Sequence, residues 1–281
     1  MLAAPTVLEP LVRLTGTVDE VVDTAPLAPL DPSLANAEVA VNLHGRGPES
    51  HRVLLAAAPG RLIAFAHPDV RQSKDGPPWA PQEHEVRRWC QLLQASGISA
   101  DPADLDLRPP PHRWHGATVI HPGASSPARR WPAERWAEVA RAEVAEGRRV
   151  IVTGSATERE LATRVAERAG LPPDAVLAGR TDLLGLAATV AGAAVVLCGD
   201  TGVGHLATAF GIPSVVLFGP TPPSIWGPPP DRPRHVALWA GNVGDPHGTA
   251  PDPSLLRITV DDVLAARHPL GDPSTSTMRS T

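Results

Sequence analysis

The pattern of apolar and polar positions divides the chain into two stretches. In the second, short runs of small and β-branched residues predict buried strands over 118–120, 150–153, 175–177, 193–197 and 214–217, with one more over 235–239. Segments with helical spacing lie between them. One begins near Pro132 and runs to Glu146, with Trp136, Val139, Ala140 and Val144 on one face and Gly147 as its stop. A second opens at Thr157-Glu158-Arg159-Glu160, whose spacing predicts a capping box between Thr157 and Glu160, and stops at Gly170. Further helices are predicted over 182–191, 205–210 and 259–266. Strands alternating with helices imply a parallel sheet covered on both faces. Ligands of such sheets bind at the carboxyl ends of the strands, where the loops 121–126, 153–157 and 198–205 all fall.

The first stretch is less regular. It predicts a helix over 5–14 with Leu8, Leu11 and Val12 on one face, strands over 19–22, 37–43 and 61–65, and a helix near 51–58. Residues 67–82 carry many Pro, Gly and Asp and read as a loop. An amphipathic helix follows over 83–95, with Val86, Trp89, Cys90 and Leu93 at i, i+3, i+4, i+7. Three consecutive prolines within 108–115 continue neither helix nor sheet and mark the boundary. The expected organisation is α/β, with domains over 1–110 and 116–266 and a polar, aperiodic tail over 268–281 expected to be disordered.

Composition narrows the chemistry. The formal net charge is −5 and no basic block appears, so nothing points to a nucleic-acid partner. Cys90 and Cys198 form no CxxC and need no disulfide, which suits a reducing cytoplasm. The 11 histidines lack tight ligand spacing, and no metal or cofactor is expected. No apolar run reaches the roughly 18 residues of a membrane span, and the opening residues do not read as a signal peptide. There is no P-loop or nucleophile elbow, and the absence of G-x-G-x-x-G after the first strand of either half argues against an NAD oxidoreductase.

The most informative stretch is 198–221, CGDTGVGHLATAFGIPSVVLFGPT. A glycine-rich turn here joins a buried strand to a helix start, an arrangement whose unpaired N–H groups receive phosphates. Gly202, Thr201 and the neighbouring N–H groups suit a diphosphate, and His205 lies within reach of it. Two plainer readings remain: Asp200 or Thr201 capping an ordinary helix, and His205 as an ordinary helix histidine. A carboxylate repels phosphate, so Asp200 fits better as an acceptor for sugar hydroxyls or as the cap. Ser125 and Ser126, after Gly123, either bond a phosphate or cap their turn.

The string DTGVGHLATAFGIPSVVLFGPT resembles the D-T-G-x-x-H-x-A-x-A-x-G-x-P-x-x-x-x-F-G-x-T signature of glycosyltransferase family 9, the heptosyltransferases. HPGASSPARRWPAERWAEVA, from His121, resembles the same family's G-A-S/T-x-x-x-K/R-x-W-P-x-x-x-W/F. The resemblance covers roughly 115–265 well and the first hundred residues loosely. It implies two Rossmann-like domains facing a cleft (GT-B). It also implies inverting transfer, without a required metal, from a nucleoside-diphosphate sugar, by family an ADP-heptose, to a glycan or glycolipid hydroxyl. A glycolipid acceptor would bring peripheral membrane association. By position Arg129 takes the family's basic role, where a guanidinium would neutralise the departing nucleoside diphosphate, while Arg130 reads as solvated. Asp200-Thr201-Gly202 would contact the donor. Glu158 is preferred over Glu160 for the ribose hydroxyls, because Glu160 already has the capping box. The first half would hold the acceptor, with Arg46 in 44–47 placed to bind its anionic part.

The family opens with a strand and a Gly-Asp turn whose aspartate is taken as the general base. This sequence has no such opening, and Asp19 is no matching substitute. The resemblance therefore implies a first domain incomplete at its N-terminus. It leaves open a second reading, a catalytically inactive protein that binds nucleotides or sugar nucleotides.

Overall fold

The structure, a computed structural model, describes residues 1–111 and 115–270. The chain forms two compact units, one spanning Met1–Leu105 and one beginning at Asp106. The division falls just ahead of the proline run, because Asp106 and Leu107 belong to the second unit. Leu107 N–H donates to the Ala209 carbonyl and Arg232 pairs with Asp106.

The second unit is a five-stranded, all-parallel sheet made of β5 (Ala117–His121), β6 (Val150–Val152), β7 (Ala193–Gly199), β8 (Ser214–Phe218) and β9 (His235–Trp239). The spatial order is β6-β5-β7-β8-β9. The chain runs outward from β5 to β6, then returns to the other side of β5 for β7. The β5/β7 junction is therefore the topological switch point, where open sheets of this kind leave a crevice for a ligand. Every residue of β5 through β8 is buried, as both-face coverage demands. Coverage comes from α4 (Ala133–Ala145), α5 (Arg159–Ala169), α6 (Leu183–Ala191), α7 (Gly202–Ala209) and three C-terminal helices. These last are α8 (Pro223–Trp226), α9 (Pro253–Arg257) and α10 (Val260–Arg267).

Three expectations change here. The strand over 175–177 is a 3-10 turn, Pro173–Ala175, followed by a single bridge from Val176 to Val152. Pro172 and Pro173 have no N–H to offer a ladder. On α4 the face continues through Glu143, not Val144. Val144 is 45 % exposed, whereas Glu143 is buried, accepting from Thr118 Oγ1 and pairing with Arg148 and Arg267. Glu143 lies seven residues beyond Trp136, where two helical turns bring the chain back to the same face. The tail expected over 268–281 begins with an ordered 3-10 turn, His268–Leu270, that continues directly from α10. Its remainder, 271–281, lies outside the described residues.

The first unit holds β1 (Leu2–Ala4), β2 (Val21–Asp23), β3 (Val39–Val41) and β4 (Arg61–Ile63), with α1 (Glu9–Thr15), α2 (Glu49–Ala56) and α3 (Glu85–Ala95). Its strands make two separate parallel pairs, β1-β2 and β3-β4, where a single Rossmann-like sheet was expected. β1 was not predicted, because three residues of Leu and Ala carry no periodicity. The amphipathic face of α3 also differs: the buried positions are Arg88 and Leu92. Arg88 lies 4.3 Å over the Trp79 ring, pairs with Glu85, and donates to the Ala80, Pro81 and Glu83 carbonyls. It closes the 77–84 loop onto the Phe65–Trp79–Trp89 cluster.

Candidate functional site: the switch point of the second unit

His121 ends β5 and pairs in register with Cys198 of β7. Beyond His121 the chain turns through 122–126 into a 3-10 turn, Pro127–Arg129, capped by Ser126, whose hydroxyl accepts from Ala128 N–H. Trp131 and Trp136 then drop into the core edge to face, their centroids 4.9 Å apart, and Trp131 Nε1 donates to the Ile258 carbonyl. These two indoles anchor the turn from below. A strap of later chain holds it from the side. Gly248 carbonyl accepts from Ala128 N–H and Ser126 Oγ, and Asp252 N–H donates to the Ala128 carbonyl.

So anchored, Arg129 reaches Asp200, the residue after β7. Its Nη1 lies 3.7 Å from Asp200 Oδ2 and 3.4 Å from the Asp200 carbonyl, and Nη2 donates to Ser125 Oγ. Arg129 Nε is buried with no partner among the described residues. Burial pushes the Asp200 carboxyl above its ordinary range, against the pull of Arg129 and His205. Cys198, fully buried in β7 two residues earlier, is pushed up to about 12 by burial and by Asp200, with the Thr201 hydroxyl pulling the other way. This thiol is inert packing.

Neither Asp200 nor Thr201 caps α7, contrary to the plainer reading. Thr201 occupies the N-cap position with extended backbone and no side-chain cap bond, and Asp200 is turned to Arg129 instead. Among the described residues no side chain caps the first-turn N–H groups of α7, of which Gly204 N–H donates to the Thr201 carbonyl. Gly202 opens that turn onto free space. His205 is exposed on the next turn, its ring 6.2 Å from Trp226. The recess among Asp200, Thr201, Gly204, His205 and Trp226 has about 10 Å³, one water's worth, so any larger ligand must lie across the edge.

One strand over, the capping box is built from a different pair of residues than the spacing predicts. The capping box is formed by Ser155 and Glu158, not Thr157 and Glu160, because the helix is preceded by a 3-10 turn, Ala156–Glu158, that moves its start back. Glu160 is exposed and pairs with Arg164. Glu158 Oε2 accepts from Ser155 N–H at 2.8 Å. Its carboxylate lies so close to Gly123 that any side chain there would overlap it. Burial alone would raise the Glu158 carboxyl, but Ser155, His121 and Arg130 outweigh it and hold it below its ordinary value. Arg130 is not merely solvated, since its Nε donates to the Ala124 carbonyl.

Ser125, Arg129, Asp200, Thr201, Gly202 and His205 therefore gather on one edge, with Glu158 beside them on the next strand. Arg46 belongs to the first unit. The sequence reading missed His121 and Thr153, at the ends of β5 and β6. His121 Nδ1 lies 3.0 Å from Thr153 Oγ1, and burial lowers the imidazole's affinity for a second proton despite Glu158. The readable signal was a polar residue ending an apolar strand in both cases. Among the described residues no group of three or more His, Cys, Asp or Glu gathers to hold a metal. No described helix is long and apolar enough to cross a membrane.

Residues 77–247, most of them in this unit, match the family model described as Glycosyltransferase family 9 (heptosyltransferase). The chain belongs to glycosyltransferase family 9. Among curated relatives, lipopolysaccharide heptosyltransferase 1 of Pseudomonas aeruginosa is 51% identical over 74 residues, covering 26% of this chain and 20% of that one. Lipopolysaccharide heptosyltransferase 2 of Salmonella typhimurium is 31% identical over 156 residues, covering 53% and 45%. The matched stretch thus spans less than half the length of either relative. In solved structures, E. coli ADP-heptose lps heptosyltransferase II superposes with a TM-score of 0.74 at 23% identity, over 95% of this chain and 88% of that one. E. coli heptosyltransferase WaaC with ADP gives 0.63 at 19% identity, over 94% and 95%. The family 9 chain thus has the GT-B fold of these transferases.

Proposed function

We propose that this family 9 chain is a glycosyltransferase that binds a nucleoside-diphosphate sugar across the β5/β7 switch point and transfers its sugar, with inversion, to a hydroxyl of a glycan or glycolipid. The observation that carries the reading is Arg129. It is a guanidinium on a rigid turn, beside a buried carboxylate and the open first turn of α7. The first-turn N–H groups and Arg129 receive the diphosphate. As the bond to the anomeric carbon breaks, Arg129 neutralises the charge gathering on the departing phosphate. Asp200, turned from the helix and raised by burial, suits sugar hydroxyls. The free Glu158 oxygen suits the ribose. An adenine nucleotide is favoured because the similar WaaC structure holds ADP, and a heptose because the relatives are heptosyltransferases. Arg46, exposed after β3, is assigned to the acceptor's anionic part, and a glycolipid acceptor would bring the chain to a membrane surface. The free thiols Cys90 and Cys198 suit a cytoplasmic setting.

The test is a calorimetric titration of the chain with ADP, UDP, GDP and NAD, followed by turnover of ADP-sugars. ADP should bind in preference to the others, and Arg129→Ala and Thr201→Val should weaken it. Binding of none of the four to folded protein would overturn the donor site. ADP binding with no turnover would leave the second reading, a catalytically inactive protein that binds nucleotides or sugar nucleotides.

A further inference from the structure

The first unit contains a buried polar cluster that the donor chemistry does not use. Asn42, directly after β3, is 2% exposed, and His51, in the first turn of α2, is fully buried. His51 Nε2 lies 2.7 Å from the Phe65 carbonyl. A carbonyl only accepts, so Nε2 carries the proton and Nδ1 accepts from Asn42 Nδ2, also at 2.7 Å. Asn42 Nδ2 donates a second time to Ser50 Oγ at 2.9 Å, while Asn42 Oδ1 accepts from His44 N–H at 2.9 Å. Both donors of the Asn42 amide and its carbonyl are thus used. The His51 ring lies directly beneath Gly47, where an added Cβ would stand 2.8 Å from it, and Gly47 has φ +78°.

The turn from Leu43 to Pro48 is consequently fixed at two points, through Asn42 at His44 and through His51 at Gly47. Arg46 lies between them. It is exposed and, among the described residues, has no hydrogen-bond or ion-pair partner. Surface turns ordinarily need no buried network to close them. A satisfied buried network specifies one geometry, and here that geometry presents one cation.

We propose that Asn42 and His51 are positioning residues that hold Arg46 for the anionic part of the acceptor. This rests on the transferase reading given above. Arg46 makes the contact, and the buried pair acts only through it.

The test uses the full chain in a transfer assay, with acceptor varied at saturating ADP-sugar, and variants Arg46→Ala, Asn42→Ala, Gly47→Ala and Asn42→Ala/Arg46→Ala. Arg46→Ala should raise the acceptor KM about tenfold, the scale of a charge-assisted hydrogen bond, with kcat and ADP affinity unchanged. Asn42→Ala and Gly47→Ala should each raise it several-fold. The double variant should be no worse than Arg46→Ala alone. Full additivity, or an unchanged KM in both turn variants, would overturn the proposal. Gly47→Ala deletes no polar side chain and presses on the His51 ring from the turn itself, so it reads the turn even if Asn42→Ala unfolds. ADP calorimetry on the same samples reports the transferase reading separately. Should turnover be absent, inorganic phosphate is titrated while the Arg46 backbone amide is followed by NMR. A shift in the parent that is reduced in Gly47→Ala supports the proposal. No shift, or an equal one in both, overturns it.

Discussion

The two units share a local grammar, parallel strands linked through helices, and reach different ends. In the second unit, five strands form one sheet and β5 through β8 are buried along their full length. In the first, four strands make two pairs, and of their residues only Ile63 is buried. Parallel pairing places helices on sheet faces, so its stability depends on how completely both faces are covered. The second unit meets that demand with a continuous core running from Ile120 through Trp131 and Leu197 to Val263. The core cluster around β4 in the first unit is Ile63, Phe65 and Leu92, supported by two half-buried tryptophans and Val41. Where the sheet cannot supply rigidity, buried polar groups such as Asn42–His51 and Arg88 do.

The sharpest way to break this contrast is Trp131→Ala. Removing a fully buried indole should cost the second unit about 3–5 kcal/mol in denaturant unfolding, and ADP binding should fall with it, because the Arg129 turn rests on that ring. Arg129→Ala should separate site from scaffold. ADP affinity should drop about 30- to 100-fold, on the scale of a hydrogen bond to a charged group, while the unfolding midpoint barely moves. Acid should act on the second unit before any variant is made. Burial, with Arg234 and Arg232 nearby, pushes the His235 imidazole down to about 4. The unfolded chain then binds the extra proton first. The stabilisation from neutral His235 is full above the ordinary histidine range near 6.5 and is lost as pH falls through about 4. The thermal midpoint should decline across that window, and His235→Gln should flatten the decline. The smallest effect is expected from Val39→Thr in β3. Val39 is 42% exposed, so unfolding should change by no more than about 0.5 kcal/mol. A loss of several kcal/mol there would mean that the first unit is covered more completely in solution.

The sequence exposed the second unit because its strands are apolar runs bounded by turn residues, and burial of those runs is what makes the sheet. The two tryptophans and the basic residue of 121–140 could be read as a motif. Only the structure separates their jobs: Trp131 and Trp136 are anchors, and Arg129 is the group they present. The shifted capping box shows why local spacing misleads. Ser155-x-x-Glu158 and Thr157-x-x-Glu160 are equally valid boxes, and a 3-10 lead-in decides between them. Arg88 was hidden for a related reason, since helical periodicity assigns a charged residue to the solvent face unless a partner is visible, and its carbonyl partners are backbone. The Asn42–His51 pair was unreadable because it depends on Phe65, whose carbonyl reaches His51 only through tertiary packing.

The strap from Gly244 to Asp252 has a consequence for anyone excising this unit. The family match ends at 247, yet Gly248 and Asp252 tie down the backbone around Ala128. Leu255 and Ile258, also beyond that limit, are buried in the core. A fragment cut at the end of the recognisable motif would carry every signature residue and still lack the stays that hold Arg129 in place. Limited proteolysis between 240 and 252 should weaken ADP binding in calorimetry before it melts the sheet. The boundary of the signature and the boundary of the working part are different lines.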